Sequence, residues 1–312
     1  MESLYKKFIE QEGSLTTPIL NDYLNTRDGF KLSYAYFPKE NAKAIVQLIP
    51  GAMEYKERYF ELIDVLNENG YTCIISDTRG HGHSVSEKYP FGHVDNAGEI
   101  LQDLSLVTDY AKNLQPNLPV ALLGHSLGSL LARNYLMQND DKIDLLLLLG
   151  TVAPVSIINI GIIISKLAML FTGGNYGHSR IISGLSPMNK PPEKWIAYNK
   201  QYLLDRNSEY LMKFNFDNGA CYSTLELVRN LAQPKRYQVK NPSVPIYSFS
   251  GKDDPITGGE KGLENTKNAL SKIGYKNFYK KVYPNMMHEI IKEENKAVVF
   301  QDIVKVLDEH FV

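Results

Sequence analysis

Cysteine is almost missing from this chain of 312 residues, which holds only Cys73 and Cys221. Neither has the short spacing of a metal site, and Cys73 lies in an apolar, strand-like run, so a buried thiol is expected. The first ten residues, Met1 to Glu10, carry acids and lack a continuous apolar stretch, so they do not read as a secretory signal. A cytoplasmic protein in a reducing compartment is expected. Charge of one sign is also lacking: 34 Lys and Arg stand against 35 Asp and Glu, for a formal net charge of -1. With no dense basic run interleaved with aromatics, nucleic acid is not expected as a partner. The apolar run Val152 to Phe171 is nearly long enough for a bilayer, but it holds Pro154, Asn159, Ser165 and Lys166 and follows directly on a strand. No transmembrane segment is expected. Repeats and low-complexity tracts are missing too, and only Asn189-Lys-Pro-Pro192 looks like a linker.

What is present, 43% hydrophobic and 22% charged residues, suits one large globular core with an insertion. Two strand-like pieces, Phe30 to Phe37 and Ala44 to Ile49, open the chain as a β-hairpin entered through the turn signal Asp28-Gly29. The pattern then alternates: helix Tyr59 to Asn69, strand Thr72 to Ser76, helix Ala97 to Leu114, strand Val120 to Leu123, helix Leu127 to Met137, strand Leu145 to Leu149. It stops at Gly150 and resumes with strand Val244 to Ser250, helix Glu260 to Ile273, strand Phe278 to Tyr283 and a closing helix Glu293 to Phe311. Strict alternation implies βαβ units and an α/β class fold, a mostly parallel central sheet with helices on both faces. Continuously apolar strands such as Leu145 to Leu149 fit a sheet covered on both sides. Residues 1–150 and 241–312 are therefore read as the core, and 151–240 as an inserted, mainly helical subdomain.

The chemistry centres on Gly124-His125-Ser126-Leu127-Gly128, a Gly-x-Ser-x-Gly sequence with an apolar strand before it and a helical pattern after it. A serine on such a sharp turn presents its Oγ above the sheet, and the flanking glycines avoid collisions between strand and helix. A hydroxyl is a weak nucleophile at neutral pH and needs a hydrogen-bonded base that is itself oriented by a third group. Of seven histidines, His81, His83, His93 and His125 precede or adjoin the serine, His178 is in the insertion and His310 is on the last helix. His288, in the loop after a late strand, remains as the base. His125 is read as structural, because neighbours on an elbow point apart. The loop Gly251-Lys252-Asp253-Asp254-Pro255 offers two carboxylates, with Asp254 preferred to Asp253 because Pro255 fixes the chain directly after it. The order Ser, Asp, His is that of the α/β-hydrolase fold. Acyl transfer also needs two backbone N–H groups aimed at the developing oxyanion. Leu127 supplies one, and Ala52 in Pro50-Gly51-Ala52-Met53 the other.

With these residues placed, the chain resembles the monoacylglycerol lipase and lysophospholipase branch of the α/β hydrolases from about Gly29 to its end. The resemblance is carried by Gly51-Ala52-Met53-Glu54 with Arg58-Tyr59, by Asp77-x-Arg79-Gly80-His81-Gly82-x-Ser84, by the elbow, by Gly251-x-x-Asp254-Pro255 and by His288-Glu289-Ile290. It departs at Pro50, where relatives usually carry His. The resemblance implies Ser126, Asp254 and His288 as a triad, Ala52 and Leu127 as oxyanion donors, and an apolar cap over the site that admits acyl chains and makes transient contact with a membrane surface. It also implies a loop-stabilising role for Arg79, His81 and Ser84. The expected activity is cleavage of carboxylic esters of hydrophobic acyl groups, on a small-molecule ester or lipid substrate. The alternatives are a peptidase of the proline-iminopeptidase type and an inactive hydrolase fold that binds a ligand. His81-Gly82-His83 with His93 invites a metal reading, but the binuclear pattern His-x-His-x-Asp-His needs Asp where Val85 stands. No metal or other cofactor is expected. The aromatics Trp195, Tyr198, Tyr202, Tyr210 and Phe214 read as packing residues, and Lys280-Lys281 and Glu293-Glu294 as solvated faces.

Overall fold

A computed structural model describes residues 20–155, 157–184 and 194–312. The stretches Met1 to Glu10 and Asn189 to Pro192 lie outside the described residues. Eight strands form one sheet: β1 (Leu20–Asn25), β2 (Lys31–Phe37), β3 (Ile45–Ile49), β4 (Thr72–Ser76), β5 (Val120–His125), β6 (Leu145–Leu149), β7 (Ile246–Gly251) and β8 (Phe278–Tyr283). Their spatial order is β1-β2-β4-β3-β5-β6-β7-β8. The pairs β1·β2 and β2·β4 are antiparallel, and every pair from β4 across to β8 is parallel.

The expected hairpin is corrected here. The turn at Asp28-Gly29 does close a hairpin, with Gly29 at φ 78, but its partners are β1 and β2. The strand β3 lies beyond β4 and is not paired with β2. Every residue of β3 is buried; a strand apolar on both faces belongs in the interior of the sheet, not beside its edge. The edge strand β1, Leu20-Asn-Asp-Tyr-Leu-Asn25, is polar and mostly exposed, so it gives little hydrophobic signal.

Helices α1 (Phe60–Glu68), α2 (Ala97–Leu114) and α3 (Leu127–Asn139) fill the connections up to β6. Between β6 and β7 come α4 (Ile158–Phe171), α5 (Arg180–Gly184), α6 (Lys200–Ser208) and α7 (Asn218–Asn230), and the core closes with α8 (Gly259–Ile273) and α9 (Lys296–Phe311). Side-chain caps set several starts: Asn96 accepts from Glu99 N–H at 3.1 Å to begin α2, and Asp217 accepts from Ala220 N–H at 2.9 Å to begin α7. The five leucines of β6 show how the sheet is covered. Leu146 and Leu148 join a cluster with Leu104 of α2, Leu131 of α3 and Leu270 of α8, while Leu145, Leu147 and Leu149 join one with Ile63 of α1 and Ile303 of α9. Burying each leucine stabilises the fold by roughly 1.5 to 3 kcal/mol. Between β3 and β5 the chain reverses its direction of growth across the sheet, and such switch points leave a crevice at the carboxyl ends of the strands.

Candidate active site

Ser126 sits in that crevice, directly after β5, with φ 51 and ψ -114. A non-glycine residue in this region stores strain and persists only where packing imposes it. The packing is visible at both flanking glycines. A Cβ on Gly124 would lie 2.3 Å from the Gly128 carbonyl oxygen, and one on Gly128 would lie 2.1 Å from the Ile49 carbonyl oxygen. Strand β5, helix α3 and the end of β3 therefore touch backbone to backbone, and Ser126 N–H donates to Leu149 O at 2.9 Å. The serine side chain is half-buried. Leu127 is the first residue of α3, so its N–H has no intrahelical acceptor and points from the positive end of the helix.

His288 and Asp254 meet this serine from the other side of the crevice. Ser126 Oγ–H donates to His288 Nε2 at 2.7 Å, and His288 Nδ1–H donates to Asp254 Oδ2 at 2.9 Å. Asp254 also accepts from Ile256 N–H at 2.8 Å and Thr257 Oγ1–H at 2.6 Å. Burial pushes its carboxyl up, but the neighbouring imidazole charge and these hydrogen bonds outweigh burial and hold it below the ordinary carboxylate value. Two glycines make room. Gly251 would bring a Cβ to 2.1 Å from Met287 O, and Gly150, at φ 53, would bring one to 3.0 Å from His288 Cε1. The His288 loop is tied to the segment between β6 and β7: His288 N–H donates to Trp195 O at 3.2 Å, Glu289 N–H to Ile196 O at 2.8 Å, and the Trp195 ring lies 5.4 Å from the imidazole.

The loop after β3 faces the elbow. Glu54 N–H closes a turn onto Gly51 O at 3.3 Å, with Met53 at φ 62, and Ala52 is half-buried within that turn. Glu54 anchors the loop by accepting from Gly51 N–H at 2.8 Å and Tyr59 O–H at 2.6 Å, and it pairs with His125 Nδ1 at 2.7 Å. Burial alone would raise the Glu54 carboxyl, but the charge and hydrogen bond of His125, with Arg58 and Tyr59, hold it well below its ordinary value. Burial would likewise lower the His125 imidazole, and the Glu54 charge turns that into a net rise. Arg58 then joins three segments: its Nη1 donates to both Glu209 carboxylate oxygens at 2.9 and 2.8 Å, its Nη2 to Glu289 at 3.2 Å and to Tyr202, and its Nε to Glu54 at 3.4 Å.

The structure thus brings Ser126, His288 and Asp254 into one hydrogen-bonded line, with Ala52 on the loop after β3 and Leu127 at the start of α3. Asp253 takes a hydrogen bond from Tyr198 O–H at 3.2 Å and makes none to the imidazole. The remaining five histidines lie elsewhere: His81 bonds Arg79 O at 3.0 Å, His83 lies 3.5 Å from the Glu57 carboxylate, His93 bridges Asp217 and Asp95, His178 is exposed, and His310 bonds Val306 O at 2.8 Å. Among the described residues no three His, Cys, Asp or Glu side chains are placed to hold a metal ion. Two readings need correction. Glu293 is buried, not solvated, and accepts from the N–H groups of Met287, Tyr198 and Asn199 at 2.9, 3.0 and 3.2 Å. The packing reading of the aromatics fails at three of the five: Tyr202 bonds Arg58 and Glu289 through its hydroxyl, and Tyr198 and Tyr210 are exposed. Glu54, Arg58 and Glu289 went unassigned in the sequence, although all three stand inside the quoted motifs.

A family model described as "Serine aminopeptidase, S33" matches residues 40–295. The chain is 26% identical over 313 residues to a monoglyceride lipase of Saccharomyces cerevisiae, covering 91% of each chain. It is 20% identical over 290 residues to a monoacylglycerol lipase of Mycolicibacterium smegmatis, covering 90% of this chain and 94% of the relative. Among solved structures, a thermostable carboxyl esterase from Bacillus coagulans in complex with glycerol superposes with a TM-score of 0.82 at 20% identity, covering 94% of this chain and 99% of the other.

Proposed function

The chain belongs to the serine aminopeptidase S33 family, in the monoacylglycerol lipase-like branch of the α/β hydrolases, and on that premise we propose that it is a serine hydrolase cleaving carboxylic esters of hydrophobic acyl groups. The observation that carries the reading is the 2.7 Å contact between Ser126 Oγ and His288 Nε2, with Asp254 behind the imidazole. His288 takes the Ser126 proton as the oxygen attacks the ester carbonyl, and Asp254 fixes the tautomer and stabilises the imidazolium. The N–H groups of Ala52 and Leu127 hold the oxyanion. His288 then returns its proton to the departing alcohol, leaving an acyl-enzyme, and water activated by the same imidazole releases the acid. The reaction needs no cofactor.

In this reading residues 151–240 form a cap, inserted between a core of residues 1–150 and 241–312. Its helix α4 supports transient contact with a lipid surface. Ile160, Ile163, Leu167, Leu170 and Phe171 fall on one face at helical spacing and are exposed, Leu170 and Phe171 at 76% and 86%. No helix among the described residues is long and apolar enough to cross a membrane. Cys73 and Cys221, both unpaired thiols, support a cytoplasmic location.

A fluorophosphonate probe tests the central assignment. It should label wild-type protein and leave Ser126→Ala unlabelled, and Asp254→Asn should lower kcat on p-nitrophenyl butyrate about 10⁴-fold. Folded wild-type protein that resists the probe would sink the proposal. The family description favours one rival, a peptidase; faster turnover of aminoacyl amides than of acyl esters would select it.

A further inference from the structure

Trp195 is the one tryptophan of the chain, and it lies where the segment between β6 and β7 meets the His288 loop. Its carbonyl accepts from His288 N–H at 3.2 Å, so the indole is carried on the same residue that holds the backbone of the proposed base. The side chain is buried and packs with Ile196, Ala197 and Leu203. Ile256, whose N–H donates to Asp254 at 2.8 Å, leans on that cluster from the loop after β7. These contacts hold the indole 5.4 Å from the His288 imidazole, centroid to centroid, with the ring planes tilted by 41°.

Packing alone would be served by any large apolar side chain. An indole adds a face of negative potential, which attracts a cation within about 6 Å of the ring centroid, the more so where water is excluded. The imidazole becomes such a cation once it takes the Ser126 proton: Nε2 then carries that proton, Nδ1–H still donates to Asp254, and the ring bears one positive charge. Only 2% of His288 and 7% of Trp195 is exposed, so water does little to screen the contact. The charged groups around the imidazole are each engaged. Asp254 holds Nδ1 at 2.9 Å. The His125 ring stands 5.1 Å away, and its pairing with Glu54 at 2.7 Å balances its own charge. Glu289, next in the chain, pairs with Arg58 at 3.2 Å, and Glu293 accepts from Met287 N–H at 2.9 Å. To this set the indole adds a surface that favours the charged ring without bringing a charge of its own.

We propose that Trp195 is a positioning residue for the reaction, its indole set against His288 to keep the imidazole on Ser126 and to stabilise the imidazolium that forms as the serine attacks. The inference rests on the serine-esterase reading given above. Trp195→Phe keeps a smaller aromatic face, Trp195→Leu keeps apolar volume alone, and both keep the carbonyl that receives His288 N–H. The acidic limb of the pH profile of kcat/KM on p-nitrophenyl butyrate reports the proton leaving the free enzyme's imidazolium. Without the indole that cation is less stable and loses its proton at lower pH. Trp195→Leu should therefore move the midpoint of the limb down by roughly 0.5 pH unit and lower the plateau roughly 3- to 10-fold, with Trp195→Phe in between. Lost packing would lower the plateau and leave the midpoint in place. Fluorescence gives a second readout that needs no substrate, because an imidazolium against an indole quenches its emission: wild-type emission should fall towards acid pH, and His288→Asn should abolish the change. A folded Trp195→Leu protein whose midpoint stays within about 0.2 pH unit of wild type overturns the proposal, and so does a His288→Asn protein whose emission follows the wild-type course. If Trp195→Leu does not fold, Trp195→Phe and the two emission curves carry the test. Wild-type emission that tracks His288 in a protein that hydrolyses no ester and resists the fluorophosphonate probe overturns the esterase reading instead.

Discussion

Gly128→Ala isolates the contact that holds Ser126, the proposed nucleophile, against the loop after β3, the proposed source of one oxyanion donor. The new methyl would lie 2.1 Å from Ile49 O, 2.8 Å from Ile49 C and 2.8 Å from Pro50 O. All three atoms are backbone, so no side chain can turn away. Restoring an ordinary 3.4 Å contact requires α3 and the end of β3 to part by about 1.3 Å. Overpacking of this kind typically costs about 1 to 3 kcal/mol, or a fall in melting temperature of about 2 to 6 °C for a chain of this size. The kinetic effect is larger, because Leu127 N–H rides on α3 and Ala52 N–H follows β3. A displacement near 1 Å of positioned groups lowers rates about 10²-fold, and full loss of one oxyanion donor about 10²- to 10³-fold. The assay is kcat/KM on p-nitrophenyl butyrate, alongside a thermal melt. Gly184→Ala is the control, since a Cβ there meets nothing within 4 Å. A folded Gly128→Ala protein with kcat/KM within about threefold of wild type would refute the coupling of this contact to catalysis.

Glu209→Gln removes the charge that receives Arg58 in bidentate geometry and accepts from Tyr55 O–H at 2.9 Å; the pair is partly buried, so a loss of about 1 to 2 kcal/mol in urea denaturation is expected, with faster proteolysis of residues 151–240. Unchanged stability would show that Arg58 does not latch that segment. His81 is buried and neutral, its imidazole lowered from the ordinary 6.5 to about 4. Its contribution is therefore intact above pH 6.5 and lost as pH falls towards 4; at 1.36 kcal/mol per pH unit that is about 3 kcal/mol, and His81→Asn should reduce the stability difference between pH 7 and pH 4 by about that amount. A variant that loses stability as steeply as wild type would contradict this. Replacing both Leu170 and Phe171 by Ser should weaken sedimentation with phosphatidylcholine vesicles roughly 10- to 100-fold, and undiminished binding would remove α4 from the lipid contact.

The strands Thr72–Ser76, Leu145–Leu149 and Phe278–Tyr283 and the helix Ala97–Leu114 have the bounds that the sequence pattern predicts. Apolar strands flanked by helices carry strong periodic signals, and Asn96 marks its helix start with a cap. The strand Leu20–Asn25 was illegible because it is an exposed edge, and the position of β4 between β2 and β3 is a long-range choice that local pattern does not encode. At the site, the residue types and chain order that serine-hydrolase chemistry demands single out Ser126, His288 and Asp254 in the sequence, and the fold brings the three side chains into hydrogen-bond contact; the roles assigned to them are those proposed above. Glu54, Arg58 and Glu289 are not, because surface and buried carboxylates look alike until the fold brings an arginine between them. Glu293 was misread for the same reason: a Glu-Glu pair suggests solvent, and only the fold shows three backbone N–H groups converging on one of its members.

The hydrogen bonds from His288 and Glu289 to the carbonyls of Trp195 and Ile196, with Glu293 gathering Tyr198 and Asn199, place a seam inside the stretch that otherwise looks exchangeable. Residues 195–199 are part of the scaffold of the His288 loop, although in chain order they belong to the segment between β6 and β7. A chimera that replaces residues 151–240 with a foreign segment would carry away the backbone on which His288 is hung. A graft rejoined just before Trp195 would keep it, so any exchange of this segment has to stop upstream of that seam.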